Sequence, residues 1–144
     1  MANQRVKTGL IRVDGLVELN RSLKAMGPEF KGELRKTNKI VADFVATDSK
    51  GAAIALGSTP AHVAPTIKST AGALSAGVSL GGPGFEMAAG AEFGSDRFKQ
   101  FQPWRGAGED AGYFVYPTIR RNEDRIESEY EEAADRLIKK VGLG

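Results

Sequence analysis

A chain of 144 residues with 41% hydrophobic and 26% charged residues has the length of one domain and enough apolar matter for a core of its own. It contains no cysteine, which excludes disulfides and thiolate metal sites, and a net charge of +2 is too small to mark a nucleic-acid footprint. No apolar run approaches the ~20 residues that span a bilayer, and the opening Met1-Ala2-Asn3-Gln4-Arg5 lacks the apolar segment of a signal peptide; no membrane partner is expected.

Residues 6–13 read as a short strand on Val6, Leu10 and Ile11. Asp14 is a suitable N-cap for a helix over 15–26, with Leu16, Leu19, Leu23 and Met26 in one stripe at spacings of three and four. Gly27-Pro28 ends that pattern and opens a second, because proline at a first helical position lacks only an N–H that would be unpaired anyway. The second helix is predicted over 28–56. Its apolar face holds Phe30, Leu34, Val41, Phe44, Val45, Ala52 and Ala55, with Ile40 at the margin. Arg35, Lys36 and Lys39, with Lys24 and Lys31, make this half basic; they could touch DNA phosphates, but no DNA- or RNA-binding pattern accompanies them, and a charged outer face or one that docks an acidic neighbour is the better reading.

Gly57-Ser58-Thr59-Pro60 stops the helix, and 62–65 read as irregular. A strand over 66–80, the dense turn Gly81-Gly82-Pro83-Gly84, and a return strand over 85–93 form an Ala- and Gly-rich hairpin. Few large side chains hold its register, so it is expected to need a helix beneath it and a neighbour's sheet beside it. Residues 94–112 form a long connection that carries Phe98, Phe101 and Trp104. Residues 113–116 read as a short strand or an extended entry, and Pro117 opens a last helix to about 141, striped by Ile119, Ile126, Tyr130, Ala133, Leu137 and Val141. The expected fold is therefore α+β: a small antiparallel sheet packed against a long helix and a C-terminal helix, in a single domain over 1–144.

Little in the chain suggests chemistry. His62 is the sole histidine and has no Cys or matched Ser–Asp pair to form a catalytic or metal site. The run Gly106-Ala107-Gly108-Glu109-Asp110-Ala111 fits a loose dinucleotide pattern, but a short aromatic strand follows it where the motif needs a helix, and its two carboxylates repel phosphate. Glu123, Glu127 and Glu131 share a helix face, yet Arg120, Arg121, Arg125 and Arg136 are interleaved as pairing partners, so a solvated face or a charged subunit interface is expected rather than a metal site. No catalytic residue, cofactor or metal is expected. The aromatics Phe98, Phe101, Trp104, Tyr113 and Phe114 are candidate assembly contacts, since large aromatics anchor interfaces; the alternative is a mini-core within their own chain.

Three segments carry a family resemblance: the opening helix pair from Asp14 to Ala53, the block Ala91-Glu92-Phe93-Gly94, and the closing segment that begins Tyr113-Phe114-Val115-Tyr116-Pro117. Together they resemble the neck or tail-completion (head–tail joining) proteins of long-tailed bacteriophages. The stretch 64–78 departs from the family's P-x-x-T-G-x-L pattern in its looser spacing, which leaves the start of the hairpin open. The resemblance implies a structural virion protein made in the host cytoplasm. It implies a homo-oligomeric ring, six copies matching the sixfold tail, between head-closure and tail-tube or tail-terminator proteins. Double-stranded DNA would pass through the lumen as cargo. A tail terminator or head-closure ring at an adjacent neck position, and a DNA-associated basic protein, are the alternatives.

Overall fold

The computed structural model describes residues 3–7, 10–15, 30–73 and 75–140. Its elements are β1 (Asn3–Lys7), β2 (Leu10–Gly15), α1 (Phe30–Leu56), α2 (Ser58–Val63), a 3-10 turn (Ala64–Thr66), β3 (Lys68–Ala71), β4 (Ala76–Gly81), α3 (Ala88–Phe93), α4 (Val115–Arg121) and α5 (Glu123–Lys140). The fold is α+β, with an antiparallel sheet in the order β1-β2-β4-β3.

The long helix organises the rest. One side of α1 buries Leu34, Val41, Phe44 and Val45 as its periodicity requires, and Ala42, Ala46 and Ala53 widen that side. Ala55, expected on the buried face, is exposed, and Ala52 is only partly buried. Asn38 joins three elements: its Nδ2 donates to the Gly72 carbonyl at 2.7 Å, and its Oδ1 accepts from the Tyr130 hydroxyl of α5. β3 is tied to α1 by the Ser69 hydroxyl, which donates to Asp43 at 2.6 Å. β4 alternates buried and half-buried residues, with Ala76, Val78 and Leu80 on the core side. The β2–β4 register sets Val13 opposite Val78 and Ile11 opposite Leu80.

Several expectations fail locally. The single strand over 6–13 is a hairpin, with Val6 opposite Ile11. Asp14 and Gly15 belong to β2, so no helix begins at 15; the remainder of the helix expected over 15–26 lies outside the described residues. The strand over 66–80 is itself a hairpin, closed where the Gly72 N–H donates to the Ser75 carbonyl. The return strand over 85–93 is instead a turn at 85–87 followed by helix α3, consistent with the helix propensity of Ala88, Ala89 and Ala91. Residues 62–65, expected to be irregular, fall in the end of α2 and the 3-10 turn, and α2 begins at Ser58 within the expected helix stop. The last helix is two: α4 and α5 meet at Asn122, whose side-chain Nδ2 donates to the Thr118 carbonyl at 2.8 Å and to Asp48 of α1 at 3.3 Å. Ile126, Tyr130, Ala133 and Leu137 of α5 are buried, as the stripe requires.

Candidate assembly site

The short block Ala91-Glu92-Phe93-Gly94 lies at the end of α3, with its glutamate wholly buried. Glu92 Oε1 accepts the backbone N–H groups of Tyr113 (3.1 Å), Phe114 (2.9 Å) and Val115 (3.1 Å), and Oε2 accepts that of Tyr116 (2.8 Å). Phe114 is the N-cap of α4. The N–H groups at a helix start have no partner within the helix. Here a carboxylate some twenty residues away supplies the acceptor, and its charge suits the positive end of the helix. A helix can therefore begin where a strand was expected, because a distant side chain satisfies its first turn. Burial pushes the Glu92 carboxyl above the ordinary glutamate value, against the opposing pull of the four N–H groups. The Tyr116 hydroxyl is also raised, first by burial and then by the Glu92 charge.

Two glycines make this geometry possible. Gly112 has φ +82°, and a Cβ there would lie 2.6 Å from Glu92 Oε2. Gly94 has φ +74°, and a Cβ there would run into the backbone carbonyls of Gln102 and Pro103. Between them the 95–111 loop is firmly braced. The Arg105 N–H donates to the Phe93 carbonyl at 2.5 Å, Ser95 N–H to Gln102 at 2.8 Å, and Gly112 N–H to Arg105 at 2.7 Å. The Ser95 hydroxyl accepts from the Arg97 and Phe98 N–H groups, and Asp96 accepts from the Trp104 N–H at 3.1 Å. The Tyr113 hydroxyl donates to the Pro103 carbonyl at 2.6 Å, with the Arg105 guanidinium 4.2 Å from the centre of its ring.

On this frame the five candidate aromatics separate. Phe98 and Trp104 are 51% and 56% exposed. Phe101 lies on the bare backbone of Gly90, edge-on to Phe98 with ring centres 6.5 Å apart. Met87, Phe93, Phe98, Phe101 and Trp104 contribute to the walls of an open groove of about 460 Å³ between α3 and the loop. Tyr113 is half-buried and braces the loop. Phe114 is fully buried in the hydrophobic core and has no surface for a partner. Its selection as a contact is corrected: its backbone N–H is bound to Glu92, and its ring turns inward at the helix start.

No protein family, characterised protein or solved structure matches this chain.

The remaining candidates are scattered. His62 is an exposed residue of α2 whose ring stacks, tilted, on Phe85 with centres 5.4 Å apart. Among the described residues no group of three or more His, Asp or Glu is placed to hold a metal ion, and no helix is long and apolar enough to cross a membrane. Among the described residues, none of the arginines expected to pair with the acids of the last helix forms an ion pair with them. Arg125 lies 3.9 Å from the centre of the Phe44 ring, Arg136 bonds Glu33 of α1 at 2.6 Å, and Arg121 donates to the Thr118 hydroxyl. Sequence reasoning missed Glu92. The available signal was an acidic side chain set between Ala91 and Phe93, on a stretch otherwise small and apolar.

Proposed function

We propose that this chain is a structural virion protein of a long-tailed phage, which forms a ring in the neck and joins the DNA-filled head to the tail. The observation that carries the reading is the braced loop: a fold that uses a buried carboxylate and two close-packed glycines to hold Phe98 and Trp104 half-exposed beside an apolar groove. A rigid aromatic pair presented to solvent has the character of an interface anchor, since little ordering entropy remains to be lost on docking. The resemblance of Ala91-Glu92-Phe93-Gly94 and of the 113–140 segment to neck and tail-completion proteins supplies the biological setting. In it the ring has six copies, neighbours from the head-closure and tail-tube or tail-terminator proteins, and double-stranded DNA in its lumen.

Trp104→Ala tests this. The variant subunit should keep its circular dichroism spectrum, because the ring is mostly exposed, while heads and tails accumulate unjoined in cells infected by the variant phage. Normal joining would remove the loop from the interface. A particle map in which this chain is monomeric, or lies outside the neck, would remove the ring.

A further inference from the structure

The arginines of α5 leave its outer acids uncompensated. With Arg125 on Phe44 and Arg136 on Glu33, both cations are directed to α1 of the same chain. Glu123, Glu127, Glu131 and Asp135 recur at intervals of four along one side of α5, all exposed. None of these acids is in an ion pair among the described residues. Their stripe is roughly 18 Å long at the helical rise per residue.

The outward side of α1 has the opposite character. Lys36, Ile40, Thr47, Lys50, Gly51 and Ile54 lie along it, and all are exposed. Ile40 and Ile54 are 45% and 59% exposed, so the face is apolar as well as basic. Gly51 has open space where a Cβ would be, so nothing among the described residues requires glycine at this helical position. A small residue between Lys50 and Ile54 allows another helix to approach closely. Asp43 is the one acid on this face, and it is paired with Lys39 at 3.0 Å and bonded by the Ser69 hydroxyl, which leaves Lys36 and Lys50 as the face's unpaired cations among the described residues.

Resting on the ring reading, we propose that the outward face of α1 is the docking surface for a second copy of this chain, which presents the acidic stripe of its α5. One chain of small net charge thus carries two separate helix faces of opposite sign. Each copy receives on α1 and donates on α5. The contact is head-to-tail rather than twofold, the arrangement that repeats around a ring when its rotation closes. Complementary charge guides the approach and sets the register, while Ile40 and Ile54 supply the apolar area.

A charge exchange tests the contact. Two variants are made in the full chain, Lys36→Glu with Lys50→Glu, and Glu127→Lys with Glu131→Lys, and each is checked for folding by circular dichroism. Sedimentation velocity at high protein concentration and low salt should show closed oligomers for the unaltered chain and their loss for either variant alone. Mixing the two variants should restore them, because acidic α1 then meets basic α5, while the unaltered faces meet at the alternate contacts. Adding salt to the unaltered chain should dissociate it, which tests the contact without any substitution. Oligomers that survive both reversals and high salt overturn this docking mode and leave the ring reading standing. An unaltered chain that stays monomeric under these conditions also overturns it, and the ring is then decided by the particle map. Binding of duplex DNA that is lost with Lys36 and Lys50, with no effect of the α5 reversal, assigns the α1 face to DNA and overturns the proposal as well.

Discussion

Replacing Glu92 with alanine removes the acceptor of four backbone N–H groups in one step. Those of Phe114 and Val115 are bonded in the buried interior, and those of Tyr113 and Tyr116 are partly buried, where water can replace the lost oxygen. A buried donor left without a partner costs about 1–3 kcal/mol, so the two interior groups set a loss of roughly 2–6 kcal/mol. Release of the desolvated carboxylate offsets part of this, and a net loss of about 3 kcal/mol is expected, a large share of the ~5–15 kcal/mol that holds a typical domain folded. Glu92→Gln should be milder. Its carbonyl oxygen can still serve Tyr113, Phe114 and Val115, while its amide nitrogen faces the Tyr116 N–H, donor against donor. Urea unfolding followed by circular dichroism should rank native above Gln above Ala. Amide hydrogen exchange should show protection lost at residues 113–116 before it is lost in α1. A loss below about 1 kcal/mol for Glu92→Ala, with the Phe114 and Val115 amides still protected, would refute the reasoning.

The same site has a pH dependence. The folded-state value of Glu92 lies above the ordinary 4.5, so its stabilising contribution is full below the unfolded value and is lost as pH rises through the folded one. Stability measured by urea midpoint should therefore fall across that window, and Glu92→Gln should remove this component. Gly112→Ala should destabilise by about 1–3 kcal/mol, because its φ of +82° and the nearby Glu92 oxygen both oppose a side chain. Gly51→Ala, in open helix, should raise the thermal midpoint of the subunit through a gain of about 0.5–1 kcal/mol. Phe114→Ala should lose about 3–5 kcal/mol of folding stability in chemical denaturation, whereas Phe98→Ala, at a half-exposed ring, should lose less than about 1 kcal/mol.

Helix periodicity made α1 and α5 legible in the sequence. Leu34, Val41, Phe44 and Val45 recur on one face, as do Ile126, Tyr130, Ala133 and Leu137, and a stripe of that kind has to be buried whatever covers it. The 95–111 connection was legible for a related reason: it has no apolar period, and it is flanked by Gly94 and Gly112 with Pro103, Gly106 and Gly108 inside it, so it read as a loop. These local patterns were sufficient for the α+β class and for placing Phe98 and Trp104 on a surface loop.

The middle of the chain was decided by contacts that no local pattern carries. Residues 85–93 and 113–116 have short apolar runs compatible with either strand or helix; the turn at 81–84 made the first read as a returning strand, and the second read as a short strand or extended entry. In the folded chain Glu92 reaches across to the N–H groups of Tyr113 to Tyr116, so one helix has a carboxylate to bury and the other has its first turn satisfied. Likewise, the basic and acidic runs were visible as composition, but whether the arginines of α5 pair along their own helix or with α1 depended on how the two helices pack. Periodicity reports which face of an element is buried. Which partner satisfies a buried polar group is a property of three-dimensional proximity, and here that proximity spans some twenty residues of loop.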